Sequence, residues 1–192
     1  MLAAGGSKRY KGDTNKLLVP FKGKPLVSWA VEAALQAGLD ETVVVSGAAD
    51  LSHLLPYDVT LLRNDSWERG MASSLAGALH WCEFREHQAV VVGLADQPLI
   101  PASAWIKVAS AGSSASVPIV VATYAGRRRN PVFLDKSVWP LLPSSGDVGA
   151  RDLMAKRPEL VAEVACNGSP LDVDTEEDIR RLRQQRYLLD RL

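Results

Sequence analysis

Cysteine and histidine are scarce in this sequence. Two cysteines (Cys82, Cys166) and three histidines (His53, His80, His87) occur among 192 residues. Two cysteines cannot make a disulfide framework, so both are read as reduced thiols of a cytoplasmic protein. No Cys/His pair stands at ligand spacing, which leaves a zinc site without support. A surplus of either charge is also missing: Lys plus Arg and Asp plus Glu each number 22. A chain without basic excess is not built to grip nucleic acid by neutralising phosphates, although a small anion needs only local positive charge. No apolar run approaches the roughly 18 residues of a membrane span, and the opening residues do not read as a signal segment. The expected protein is soluble and cytoplasmic, with no nucleic-acid or membrane partner.

What is present is ordinary globular material, 47% hydrophobic and 23% charged. A chain of this length is expected to form a single domain over residues 1–192 and to bury roughly 70% of its unfolded surface. Short apolar runs alternate with helical stretches. Met1–Ala4, Thr42–Ser46, Val59–Leu62 and Ala89–Leu94 read as strands. Val117–Tyr124 and Pro131–Leu134 read as two more around a turn at Gly126. Pro25–Ala37 sets Leu26, Trp29, Ala30, Ala33 and Ala34 at helical spacing, with Gly38 as a stop. Ala72–Phe84, Pro101–Ala111, Val148–Lys156 and Thr175–Arg191 are the other helices, the last with Thr175 as N-cap and Asp178 three residues on. Ala111–Ser116 reads as a flexible connection, and Trp29, Trp81, Trp105 and Trp139 as packing residues. Continuous apolar strands alternating with helices indicate an α/β fold, a mostly parallel sheet covered on both faces. Such sheets bind ligands outside the carboxyl ends of their strands, here the loops after Ala4, Gly47, Leu62 and Leu94.

Those loops carry the candidate chemistry. Ala4-Gly5-Gly6-Ser7-Lys8-Arg9 follows the first strand, and Lys11 and Lys16 add further cations. Glycines bare the backbone N–H groups that cradle phosphate oxygens, though the spacing is neither a dinucleotide fingerprint nor a P-loop. A plain surface loop has the same composition. Asp96, in Gly93-Leu94-Ala95-Asp96-Gln97-Pro98, leaves the most hydrophobic strand where it could accept a magnesium ion or cap the next helix. Asp172 and Asp174 share one face of an extended segment, placed to complete a metal site or to begin a solvated helix. Asn64 through Ser74 offers an amide, a glycine and hydroxyls suited to a base edge, an anion or helix capping. Arg127-Arg128-Arg129-Asn130-Pro131 has the composition of an exposed hairpin tip. No Ser/His/Asp or Cys/His nucleophile set stands out.

Taken together and in order, these segments resemble the molybdenum cofactor nucleotidyltransferases, most closely the cytidylyltransferase branch. The matching pieces are Leu2–Ser7 with Arg9, Asn15–Leu18, Gly23–Leu26, Gly70–Leu75, Leu94–Pro98, Asn130–Phe133, Gly146–Arg151 and Asp172–Asp178. Arg9 and Lys16 lie slightly further apart than in that family. Asn130 stands where a glycine-histidine pair is common there, and the chain opens almost inside the first motif, as a truncated start would. The resemblance implies a three-layer α/β/α Rossmann-like fold of the nucleotide-diphospho-sugar transferase type. It implies transfer of CMP from CTP to the phosphate of molybdopterin, with pyrophosphate released, or the same chemistry by a guanylyltransferase or on another phosphorylated acceptor. A non-catalytic nucleotide or cofactor carrier is the remaining alternative.

Residue by residue, the resemblance implies Arg9, Lys16 and Asp96 as catalytic groups, with Asp96 and Asp174 holding Mg2+. It places Ala4, Gly5, Gly6, Ser7, Asn64, Gly70, Ser73, Ser74 and Gln97 at the nucleotide. Asn130, Pro131, Gly146, Asp147, Gly149 and Arg151 would face the acceptor. A molybdoenzyme or its maturation chaperone would receive the product. The physics is compatible, because an ionised acceptor phosphate needs positioning and charge neutralisation more than a strong base.

Overall fold

Valine-rich runs set the centre of the molecule. The computed structural model describes residues 1–12 and 14–189, with side chains as far as Leu182. Strand β1 (Leu2–Ala3) is followed by a small antiparallel hairpin, β2 (Pro20–Phe21) and β3 (Lys24–Pro25), and then by helix α1 (Leu26–Gln36). Strands β4 (Thr42–Ser46) and β5 (Val59–Arg63) lead to α2 (Met71–Phe84), β6 (Ala89–Val92) and α3 (Ala102–Ser114). The chain continues through β7 (Ile119–Tyr124), β8 (Arg127–Asp135), α4 (Arg151–Lys156), β9 (Val161–Ala165) and α5 (Glu176–Leu189). Residues 190 and 191, expected to end the last helix, lie outside the described residues.

One half of the sheet is parallel, in the order β1-β4-β5, and the other runs β6-β8-β7-β9. A parallel bridge from Leu2 to Leu94 joins them. Leu2 N–H donates to Gly93 O at 2.9 Å and Ala95 N–H to Leu2 O at 3.0 Å. The joined order is β5-β4-β1-β6-β8-β7-β9, which sets the ends of β1 and β6 side by side. Neighbouring residues of one strand reach opposite cores. Val44 packs with Val27 and Val31 of α1, while Val45 packs with Leu75 and Leu79 of α2. Both valines are essentially inaccessible, and each such burial contributes roughly 1.5–3 kcal/mol. Helices on both faces follow from this pattern, giving the expected α/β Rossmann-like architecture.

The sheet is mixed. Strand β8 runs antiparallel to both β6 and β7, because Ala125 (φ 49°) and Gly126 (φ 74°) form a two-residue reversal with both residues in the left-handed region. The expected flexible connection from Ala111 is in fact the last turn of α3. Gly112 lies there beneath Phe133, and a Cβ on it would come within 2.2 Å of the ring. Helix α4 starts at Arg151, later than expected from Val148, after Gly149 takes φ 51°. Neither β9, whose apolar run is interrupted by Glu163, nor the β2–β3 hairpin, whose strands are two residues each, is among the strands expected from the sequence. At the N-terminus of α5, Thr175 Oγ1 accepts from Asp178 N–H (3.2 Å) and Asp178 Oδ2 accepts from Thr175 N–H (2.8 Å). This is a reciprocal capping box in which aspartate replaces the usual glutamate.

A single carboxylate ties the amino edge of the sheet to α2. Glu41, 15% exposed, accepts from Thr60 Oγ1 (2.9 Å) and Trp81 Nε1 (3.1 Å), and His87 Nε2 lies 3.0 Å away. Burial pushes the Glu41 carboxyl up, but hydrogen bonds from His87, Thr60 and Trp81, with the Arg85 charge, outweigh it and hold its pKa below the ordinary value. Glu41→Gln is expected to cost about 1–3 kcal/mol at neutral pH in urea denaturation. A depressed native pKa stabilises above the unfolded value and is lost as pH falls through the native one. The gap between variant and wild type therefore closes toward acid pH.

Candidate active site

The carboxyl ends of β1 and β6 open into a cleft of about 460 Å³. Its construction begins with the glycine loop. Ala4 is buried and its carbonyl accepts from Ala48 N–H at 3.2 Å, pinning the loop to the end of β4. Asn15 brings the chain back: its Nδ2 donates to Gly5 O (3.1 Å), and its Oδ1 accepts from Leu17 N–H (3.0 Å), capping a 3₁₀ turn over Lys16–Leu18. Lys16 N–H donates to Ser7 Oγ at 3.1 Å. The excursion between Arg9 and Lys16 is thereby closed, and Lys16 is returned to the floor beneath the loop.

Lys16 is 8% exposed, and its Nζ donates to Asp96 Oδ2 (2.7 Å) and Asp174 Oδ1 (2.8 Å). The exposed guanidinium of Arg9 reaches the other oxygen of Asp174 at 2.7 Å. Burial works to lower the Lys16 pKa, but Asp96 and Asp174 outweigh it and raise it above the ordinary lysine value. The lysine therefore stays charged at neutral pH. Val173 anchors this arrangement: it is inaccessible, packs with Phe21, Leu26 and Ile179, and donates its N–H to Asp96 O at 2.9 Å. Asp96 Oδ1 is buried and has no hydrogen-bond partner among the described residues, a costly state unless a ligand meets it.

Ala4, Gly5, Gly6, Ser7, Arg9, Lys16, Gly70, Ser74, Asp96, Asp147 and Asp174 all line this cleft. A second cleft of about 950 Å³ adjoins it, with Leu2, Met71, Leu94 and Asp172 common to both walls. Asn130, Gly149, Arg151 and Gln97 line the second cleft, beside Arg127 and Arg129. Gln97 is 2% exposed. Its Nε2 donates to Asp172 Oδ1 (2.7 Å) and its Oε1 accepts from Asn130 Nδ2 (3.3 Å), so it faces the second cleft and not the first. Burial and the nearby Asp96 charge push the Asp172 carboxyl up, partly offset by the Gln97 hydrogen bond.

Other expected residues serve the loops themselves. Asn64 donates to the hydroxyls of Ser73 and Ser74, both at 2.9 Å, and accepts from Ser66 N–H at 3.0 Å. The Ser73 hydroxyl donates to Gly70 O at 2.8 Å. Neither Asn64 nor Ser73 lines the first cleft. Gly146 accepts from Ala72 N–H (2.9 Å) and donates to Arg69 O (2.8 Å), backing the Gly70 turn. Asn130 and Pro131 form a bulge, since Val121 pairs with Val132 but Ala122 pairs with Arg129. A proline with no N–H to donate fits there, and the bulge carries Asn130 to Gln97. Trp67, which lines the first cleft, escaped the sequence reading; the available signal was a large aromatic in a polar loop between strand and helix.

The mixed α/β sheet, with a glycine loop, a buried lysine and paired carboxylates at its carboxyl edge, has the Rossmann-like fold of the nucleotidyltransferases. The chain belongs to the family of the MobA-like NTP transferase domain, whose model matches residues 1–162. It is 33% identical over 201 residues to nicotine blue oxidoreductase of Paenarthrobacter nicotinovorans, covering 95% of this chain and 94% of that protein. It is 27% identical to molybdenum cofactor guanylyltransferase of Cereibacter sphaeroides, covering 73% of this chain and 68% of that one. The crystal structure of Rv0371c from Mycobacterium tuberculosis H37Rv superposes with a TM-score of 0.81 at 28% identity, covering 95% of each chain. A second structure of that protein, in complex with manganese, gives 0.77 at the same identity and coverage.

Two glycines test how tightly the cleft wall is built. Gly70 takes φ 97°, and a Cβ there would lie 2.5 Å from the Gly146 carbonyl. Gly77, on the exposed face of α2, has nothing within 4 Å. Gly70→Ala is expected to lose about 2 kcal/mol or more through strain, whereas Gly77→Ala gains about 0.5–1 kcal/mol. Opposite shifts in urea midpoint are the measurement.

Proposed function

We propose that this protein joins the nucleotidyl group of a nucleoside triphosphate, bound in the first cleft, to the phosphate of an acceptor held in the second. The supporting observation is the buried Lys16 ammonium clamped by Asp96 and Asp174 under a glycine loop. In this reaction an acceptor phosphate oxygen forms a bond to the α-phosphorus. The bond from that phosphorus to the bridging oxygen breaks, and pyrophosphate leaves with the electron pair. Ser7 and the loop N–H groups hold triphosphate oxygens, while Arg9 and Lys16 neutralise the charge that grows on the leaving group. Arg127, Arg129 and Arg151 at the second cleft suit an anionic acceptor.

The donor set suits a hard divalent ion. Asp96 Oδ1 is buried without a hydrogen-bond partner among the described residues, and Asp174, whose two oxygens contact Lys16 and Arg9, lies across the same ammonium. No group of three or more metal-ligating side chains occurs among the described residues, so an ion held by Asp96 and Asp174 would take its other oxygens from phosphate and water. Magnesium is the expected ion, and the manganese complex of the Mycobacterium protein supports a divalent site. When bound, it would offset charge on the triphosphate.

Relatives whose names span a guanylyltransferase and an oxidoreductase support the wider reading over one restricted to CTP and molybdopterin. The remaining reading is a carrier that binds nucleotide or cofactor and hands it to a molybdoenzyme or its chaperone, releasing no pyrophosphate. The test is pyrophosphate release from CTP, GTP, ATP and UTP with magnesium, with and without molybdenum cofactor. Asp96→Asn should lower release at least a hundredfold with the fold intact, and Lys16→Met should weaken triphosphate binding. Near-normal turnover in Asp96→Asn would remove that carboxylate from the mechanism. Nucleotide binding without pyrophosphate release from any pair would establish the carrier instead.

A further inference from the structure

The proposed transfer uses the polar groups of the first cleft and leaves its aromatic lining residue without a role. Ser7, Arg9, Lys16, Asp96 and Asp174 are the groups that handle charge. Trp67 is the one aromatic side chain among the described residues that line the cleft. It opens the 3₁₀ turn Trp67–Arg69 between β5 and α2. Its side chain is seated against two glycines from different loops, the ring on Gly6 and the Cβ on Gly47. A Cβ on Gly6 would lie 2.6 Å from ring atoms Cη2 and Cζ3, and one on Gly47 would lie 2.7 Å from the Trp67 Cβ. Gly6 follows β1 and Gly47 follows β4, so the ends of two adjacent strands flank the side chain, one at its ring and one at its Cβ. A rigid aromatic wall loses little conformational freedom when a flat ligand packs on it.

A nucleoside triphosphate divides the same way, a polyanion at one end and a flat π-faced ring at the other. We propose that Trp67 is the platform on which the nucleobase packs, and that it is the residue by which the cleft distinguishes a nucleoside triphosphate from a bare polyphosphate. This rests on the nucleotide reading above. Every base has a π-face, so the contact adds affinity to all nucleotides without selecting among them.

Calorimetry with CTP, GTP and inorganic tripolyphosphate, each with magnesium, tests the assignment on wild type, Trp67→Ala and Trp67→Phe. Trp67→Ala should bind both nucleotides about tenfold to a hundredfold more weakly and tripolyphosphate as before, with Trp67→Phe restoring most of the loss. Equal weakening of tripolyphosphate would mean that Trp67 only shapes the phosphate loop through Gly6. That result, or unchanged nucleotide affinity, overturns the proposal. Should Trp67→Ala fail to fold, fluorescence of the other two proteins decides: CTP, but not tripolyphosphate, changes wild-type emission, and Trp67→Phe lacks that change. Its persistence in Trp67→Phe is a refutation. A wild type that binds tripolyphosphate but no nucleotide removes the nucleotide reading and this one with it, an outcome distinct from the others.

Discussion

The Lys16 ammonium between Asp96 and Asp174 is the constraint around which the cleft is arranged. Its partners lie 80 and 158 residues away in the chain, so the contact closes the molecule as well as the site. Taking an ammonium out of water is expensive, and two carboxylates at 2.7 and 2.8 Å must offset that cost. They do so in the direction that matters for chemistry, since the lysine is kept protonated. The neighbouring structure serves this contact: Asn15 and Ser7 return the lysine to the floor, Val173 pins the acidic segment to Asp96 O, and the Thr175–Asp178 box starts the helix that follows.

The two clefts share a wall of three apolar side chains, Leu2, Met71 and Leu94, and one carboxylate, Asp172. Asp172, Gln97 and Asn130 come from three segments and form one chain of contacts along that boundary. The carboxylate sets its polarity, because the Gln97 amide must turn its N–H toward Asp172 and therefore its oxygen toward Asn130. Close backbone approaches complete the walls, with Gly70 against Gly146 and Gly6 against Trp67. At both places a β-carbon would occupy space already filled.

Much of the fold was legible because burial on both faces leaves a mark on composition. Runs such as TVVVS and AVVVGL can only be central strands of a covered sheet, and the helices between them follow from their 3.6-residue spacing. The glycine loop and Asp96 were legible for a related reason, as polar residues immediately after buried strands. The reversal into β8 was legible in part, since a turn at Gly126 was expected between two strands, but its two-residue form also needs the left-handed conformation of Ala125, and an alanine there gives no warning. Gly112 misled in the opposite sense: a glycine among serines suggests a loop, and only Phe133 packed on it explains a helix.

The sequence by itself determined the layered α/β architecture and the kinds of groups available at the carboxyl edge, since both depend on local pattern and strand order. Tertiary structure alone decided how those groups are used. Gln97 and Asn64 have the chemistry of ligand-reading amides, yet their hydrogen bonds are consumed by Asp172, Asn130, Ser73 and Ser74. Trp67, by contrast, became part of the cleft wall through contacts with glycines 61 and 20 positions away. A side chain's donors, acceptors and faces are properties of the residue, but which of them remain free for a ligand is settled by neighbours that only folding brings near.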